Sequence, residues 1–322
     1  PDGLPKWLYD AVMEKVTPEY LSVYPEETIP TTKYAHLFGL EKENVTLTAG
    51  STVGMGYVIK VFGQPGKKIL TVTPSFAMYE VYAKMIGMEV SQVKYEDDFS
   101  FKIENILSQI DEKTGIVVLV NPNMPVGNVY AKLDIKSVIE KAKDNDALVI
   151  IDEAYYYFYN QSYIDLVREY DNVVVLRTFS KMLSMPALRL GAVISCPENI
   201  RYVNNYKPHY TVNSIALLFA EAIVDNHDRL ISELKEQYFE GKEYITRALK
   251  GNGYKTIPSE GCYICIKPKY KTSRELTNLL EENGILILCG KDGLIGWLRL
   301  TIAHKKYMEI FMDTLLKIDK DE

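Results

Sequence analysis

The run Ile116-Val117-Val118-Leu119-Val120 carries no polar side chain, and it stops at Asn121-Pro122-Asn123-Met124-Pro125-Val126-Gly127. A short strand that is apolar on both faces is covered on both faces, as in a parallel sheet between helical layers. The prolines and the glycine then force a loop that is neither helix nor sheet. Comparable runs stand at Val45-Thr46-Leu47-Thr48, Lys68-Ile69-Leu70-Thr71-Val72, Ala147-Leu148-Val149-Ile150-Ile151, Asn172-Val173-Val174-Val175-Leu176 and Gly191-Ala192-Val193-Ile194-Ser195. Helical segments are expected between them, near 53–62, 78–87 and 133–143. The alternation predicts an α/β fold with a large, doubly wound, mostly parallel sheet. Six loops are expected to meet at the strands' C-terminal edge, where open α/β sheets bind ligands.

Distinctive residues stand at that edge. Thr178-Phe179-Ser180-Lys181 follows one strand, with Arg189 eight residues further on. Hydroxyls and two cations there could hold a phosphate and a reactive amine, and a lysine amine can form a Schiff base. Gly50-Ser51-Thr52 joins a strand to a helix start, where free N–H groups and the helix dipole favour an anion. Phe76 and Asp152-Glu153-Ala154-Tyr155 also lie just past strands. Each has an ordinary reading when taken alone. Ser51 could cap its helix, Asp152 could be an N-cap, Tyr24 a packed aromatic and Lys181 a solvated surface residue. Their convergence on one edge is what argues for a site.

At 322 residues about two domains are expected. Residues 25–210 read as the large domain. The composition changes after Pro208, so residues 1–24 and 211–322 read as a smaller α+β domain. Its expected parts are a helix over 3–16, long amphipathic helices over 215–250, and strands within 254–267, 285–288 and 297–302. Helices near 273–283 and 306–318 complete it. A formal net charge of −6 and the lack of a long basic run argue against a nucleic-acid surface. No 18-residue apolar run or signal peptide is seen, so a cytoplasmic protein off the membrane is expected. The chain opens on Pro1 rather than Met, so a preceding segment is expected to be missing. Cys262 and Cys265 form a C-x-x-C inside a strand-like run, facing opposite ways, and no metal site is expected.

Taken together, the motifs resemble the fold-type I pyridoxal-phosphate (PLP) enzymes, and among them the histidinol-phosphate aminotransferases. The resemblance runs from Ser22-Val23-Tyr24-Pro25-Glu26 through Asn-Pro-Asn-x-Pro-x-Gly, Asp-Glu-Ala-Tyr and Ser-Lys to the strand of Arg299. It implies a Schiff-base lysine at Lys181, a carboxylate for the pyridine nitrogen at Asp152, and a hydrogen bond from Tyr155 to the cofactor's phenolic oxygen. Phe76 is implied to stack on the ring. Gly50, Ser51, Thr52, Thr178, Ser180 and Arg189 are implied to hold the phosphate end. Tyr24 is implied to reach across a homodimer interface to the partner's cofactor and substrate. Arg299 is implied to bind the substrate's anionic end.

Three departures fall near the substrate. Met124 stands where relatives often have an asparagine, so either Asn123 takes that contact with cofactor and substrate or the contact is lost. A second arginine that relatives usually carry is absent, so the second cation is either missing or supplied by Lys291. An N-terminal arm is expected to be absent or truncated. The leading expectation is an aminotransferase acting on a small phosphorylated amine or amino acid with a 2-oxo acid such as 2-oxoglutarate. The alternative is a decarboxylase of a phosphorylated amino acid, similar to threonine-phosphate decarboxylase. A PLP-binding regulatory domain is a third reading, and no DNA-binding motif supports it.

Overall fold

The computed structural model describes residues 3–159, 161–291 and 293–320. Its large sheet is built from β1 (Val45–Thr48), β2 (Lys68–Thr73), β3 (Glu89–Lys94), β4 (Thr114–Val120), β5 (Leu148–Asp152), β6 (Val173–Thr178) and β7 (Gly191–Ser195). The strand order is β1-β7-β6-β5-β4-β2-β3. Pairing is parallel from β3 through β2, β4 and β5 to β6. The chain then reverses: β7 is antiparallel to both β6 and β1.

Two apolar layers coat this sheet. Val117, Leu119, Val149, Ile151, Val173 and Val175 lie in one. Ile116, Val118, Ile150, Val174 and Leu176 lie in the other. Neighbouring residues thus alternate between layers, as the pleat requires. This is why β4, β5 and β6 read as unbroken apolar runs.

The alternation also sorts the acids at the end of β5. Asp152 shares its layer with Tyr79, whereas Glu153 faces the other. Glu153 Oε2 accepts from Arg177 Nε at 2.9 Å and from Nη2 at 2.8 Å. The Arg177 guanidinium lies 4.2 Å from the Phe38 ring and 4.0 Å from the Tyr156 ring. Burial disfavours its charge, but Glu153 together with Tyr34, Tyr157 and Tyr156 more than offsets this and holds its pKa above the ordinary value. Removing one partner of such a pair typically costs about 3–5 kcal/mol, because the other charge is left buried alone.

The second sheet joins β8 (Lys255–Ile257), β9 (Tyr263–Lys267), β10 (Leu288–Cys289) and β11 (Leu298–Thr301) in the order β10-β11-β9-β8, all antiparallel. The helices Ser214–Asp225 and His227–Gly251 lead into it, and Lys305–Ile318 follows it. The N-terminal helix Lys6–Met13 packs here. Trp7 Nε1 donates to Glu233 at 3.1 Å, and the Tyr20 hydroxyl donates to Ser214 O at 3.0 Å.

Several expectations need correction. β3 was not foreseen: it is an edge strand rich in polar side chains, so the apolar signature is absent. The helices Thr28–Leu37 and Pro197–Tyr206 were not foreseen either. The first helix spans Lys6–Met13 rather than 3–16, and the strand expected over 285–288 is only Leu288–Cys289. Because β7 runs backwards, its C-terminal end lies on the far edge. It brings its N-terminal end to the site instead.

Candidate active site

The phosphate-sized end of the site begins at Gly50, whose φ of 95° suits a residue without Cβ. A Cβ there would stand 2.7 Å from Arg189 Nη2, so the guanidinium lies directly over this turn. From below, Gly191 opens β7 so close that its own Cβ would meet Ser51 N at 2.3 Å. The helix Ser51–Phe62 starts at this point with no side-chain cap, so the ordinary reading of Ser51 as the cap does not hold. Helix geometry leaves the Ser51 and Thr52 N–H groups without an acceptor four residues back. Arg189 is held by donating from Nη1 to Pro186 O at 2.9 Å. Ser51, Thr52, Thr178, Ser180 and Arg189 all line one cavity.

Phe76, Met124, Asp152, Tyr155 and Lys181 line the same cavity. Asp152 is only 4% exposed. Its Oδ2 accepts from the Tyr79 hydroxyl at 2.7 Å and its Oδ1 from Ala154 N at 2.9 Å. Burial raises its pKa above the ordinary carboxylate value, against the opposing pull of Tyr79, Ala154 N–H and Lys181. Burial likewise raises the Tyr155 phenol. Lys181 Nζ lies 5.4 Å from the Tyr155 ring centroid. A buried acid that costs energy to ionise is stabilised by a cation brought to it. A flat cationic ring bearing a phosphate fits both ends: the acid at one, the Gly50 turn with Arg189 at the other. Tyr79 was missed in the sequence. Its signal was weak, a tyrosine three residues after Phe76 at a helix start.

Asn123 does not take the place expected of it. It lines neither this cavity nor the adjoining one. Its Nδ2 donates to Pro74 O at 3.0 Å and to Tyr95 Oη at 2.8 Å, and its Oδ1 accepts from Ser75 at 2.6 Å. With its amide spent on the loop, Met124 faces the cavity instead. Lys291 is exposed and lines neither cavity. Tyr24 is 78% exposed, lies outside both cavities, and stacks on Tyr210 with centroids 4.6 Å apart.

The adjoining cavity shares Tyr155, Ser180 and Lys181 and adds Tyr238, Cys262, Arg299 and His304. Arg299 Nη1 approaches Met124 Sδ at 2.8 Å, so Met124 bridges the two spaces. Burial pushes the Cys262 thiol up to about 11, which keeps it neutral near pH 7. Neither Cys262 nor His304 was picked out from the sequence as part of a site.

Comparison with known proteins agrees with this arrangement. The sequence profile described as "Aminotransferase class I and II" matches residues 30–315. A histidinol-phosphate aminotransferase of Clostridium botulinum strain Hall is 31% identical over 315 residues, covering 95% of this chain and 86% of that protein. The histidinol-phosphate aminotransferase of Sinorhizobium meliloti, solved in complex with pyridoxal-5'-phosphate, superposes with a TM-score of 0.86 at 20% identity. That match covers 98% of this chain and 89% of the other. L-threonine-O-3-phosphate decarboxylase of Porphyromonas gingivalis gives 0.82 at 22% identity, over 98% and 96% of the two chains. The fold is that of a fold-type I PLP-dependent transferase. The chain belongs to the class I and II aminotransferases, and its cofactor is pyridoxal 5'-phosphate. Within that family it resembles the histidinol-phosphate aminotransferases.

Proposed function

We propose that this aminotransferase moves an amino group between a small phosphorylated amine or amino acid and a 2-oxo acid such as 2-oxoglutarate. The observation that carries this reading is the adjoining cavity. Lys181 and Arg299 line it together, and no Asp or Glu is among its described lining residues. An anionic end would be drawn to the planar fork of Arg299, while the amine meets Lys181.

Bound PLP supplies the electron sink. Asp152, oriented by Tyr79, would hold the ring-nitrogen end of the group, Tyr155 its phenolic oxygen and Phe76 its ring face. Ser51, Thr52, Ser180 and Arg189 would hold the phosphate, with Gly50 and Thr178 shaping the turn beneath it. Lys181 would hold the group through its amine and, when free, would serve as base and acid at the substrate Cα. Residues 25–210 serve as the cofactor domain, and residues 1–24 with 211–322 as the smaller one.

The test is a donor panel of histidinol phosphate, phosphoserine, phosphothreonine, an amino-alcohol phosphate and phenylalanine, each with 2-oxoglutarate. A phosphorylated donor is expected to win, with glutamate formed and no CO₂ released. Arg299→Lys is expected to raise its KM roughly 10-fold or more, because a point charge cannot reproduce two parallel hydrogen bonds. Phenylalanine winning, with Arg299→Lys silent, would replace this reading by an aromatic aminotransferase. CO₂ release from phosphothreonine would make the enzyme a decarboxylase.

We also infer a homodimer in which Tyr24 serves the partner's cofactor. Its exposure supports this, since a second chain can reach it. Tyr24→Phe is expected to weaken cofactor retention by about 1.5–3 kcal/mol, one hydrogen bond to a charged group, with the melting temperature of the apoprotein unchanged. A fully active monomer in sedimentation would sink the idea.

A further inference from the structure

We propose that His304 is a specificity-determining residue that holds the anionic end of the substrate beside Arg299. This inference rests on the reading of the adjoining cavity as the substrate site. Among the described residues lining that cavity, the basic side chains are Lys181, Arg299 and His304. Lys181 is engaged with the cofactor. A phosphate monoester presents three acceptor oxygens, more than one arginine fork satisfies.

The imidazole is preset for this task. His304 Nδ1 accepts from Lys306 N–H at 3.3 Å, capping the helix Lys305–Ile318. The neutral ring therefore carries its hydrogen on Nε2, leaving a donor that the cap does not use. The backbone that carries the ring is fixed. Ile302 N donates to Cys262 O at 2.8 Å. A Cβ on Gly241 would stand 1.9 Å from Ala303 O, so the helix His227–Gly251 packs directly on this turn. Arg299 lies on β11, which ends at Thr301, so strand and turn hold both donors in one rigid unit.

Other cations nearby are directed elsewhere. Lys305 pairs with Glu240 at 3.6 Å and with Glu309 at 3.9 Å, and it does not line the cavity. Lys306 is exposed, with its Nζ 4.8 Å from the Tyr307 ring centroid. Of the basic side chains around this turn, the fold selects His304.

The variants are His304→Ser and His304→Asn, both of which keep a residue type favoured at a helix N-cap. KM and kcat are measured on the holoenzyme for the best phosphorylated donor and for phenylalanine, with inorganic phosphate as a competing anion. His304→Ser is expected to raise the phosphorylated donor's KM and the phosphate inhibition constant about 10- to 100-fold, the loss of one hydrogen bond to a charged group. Cofactor absorbance and melting temperature should be unchanged, and the phenylalanine KM should stay within about twofold of wild type. Should His304→Ser fold poorly, His304→Asn is expected to show the same selective rise. Equal rises for both donors would make His304 structural and overturn the inference. An unchanged phosphorylated-donor KM in the folded variants, with Arg299→Lys still raising it, would overturn the inference alone. If Arg299→Lys is silent too, the substrate reading falls and takes this one with it.

Discussion

A Lys181→Ala enzyme is expected to lose on the order of 10⁴-fold or more in turnover, the upper range for a positioned proton-transfer group, with covalent catalysis lost as well. No other lysine lines either cavity among the described residues, so nothing can replace its amine. The phosphate end is untouched by the change, because the Gly50 turn and Arg189 lie elsewhere on the edge. The variant should therefore still bind cofactor, more weakly and without a covalent link. Borohydride reduction followed by peptide mapping of the wild type checks the assignment. A label on any other lysine would remove Lys181 from its role.

Asp152→Asn is expected to lower turnover by about 10²–10⁴-fold while leaving the fold intact, since a preorganised charge facing the reacting system is lost. The same change should not destabilise the apoprotein at neutral pH. Burial raises the Asp152 pKa in the folded chain, so the folded state binds its proton more tightly than the unfolded state does. Stability from this group is full below the ordinary carboxylate pKa and is lost as pH rises through the folded value. Near pH 7 the native apoprotein therefore bears a cost that Asn lacks. The melting temperature of Asp152→Asn apoprotein should equal or exceed wild type at pH 7, and the difference should shrink toward pH 4. A wild-type turnover number would end the proposed role of Asp152. A large loss of melting temperature at pH 7 would show that the carboxylate is structural.

The parts of the fold that were legible in sequence are those where both faces of a strand are buried. β4, β5 and β6 announce themselves because water touches neither side. β3 does not, because an edge strand can be polar and still pair. The reversal at β7 was hidden for a different reason: an apolar run has no direction. At the site, residues adjacent to strand ends could be placed by counting, which found Ser51, Asp152, Tyr155, Lys181 and Arg189. Contacts made across the fold could not. Tyr79 meets Asp152 across 73 residues of chain, and Asn123 turned inward because Pro74, Ser75 and Tyr95 compete for its amide. His304 reaches the cavity only because β11 ends where it does.

The side-by-side acids at Asp152 and Glu153 carry a further consequence. The pleat sends them into opposite layers, and Arg177 closes the field of Glu153 within its own layer as a short dipole. Glu153 acts on Asp152 less than burial, Tyr79, the Ala154 N–H or Lys181 does, although it is the next residue in the chain. Glu153 lines neither cavity, so Asp152 is the acid that faces the cofactor end. A lone carboxylate in a shielded, low-dielectric setting discriminates sharply by charge: it rewards a cationic ring and penalises a neutral one of the same shape. Arg177, which lines neither cavity, keeps the second acid paired within the opposite layer.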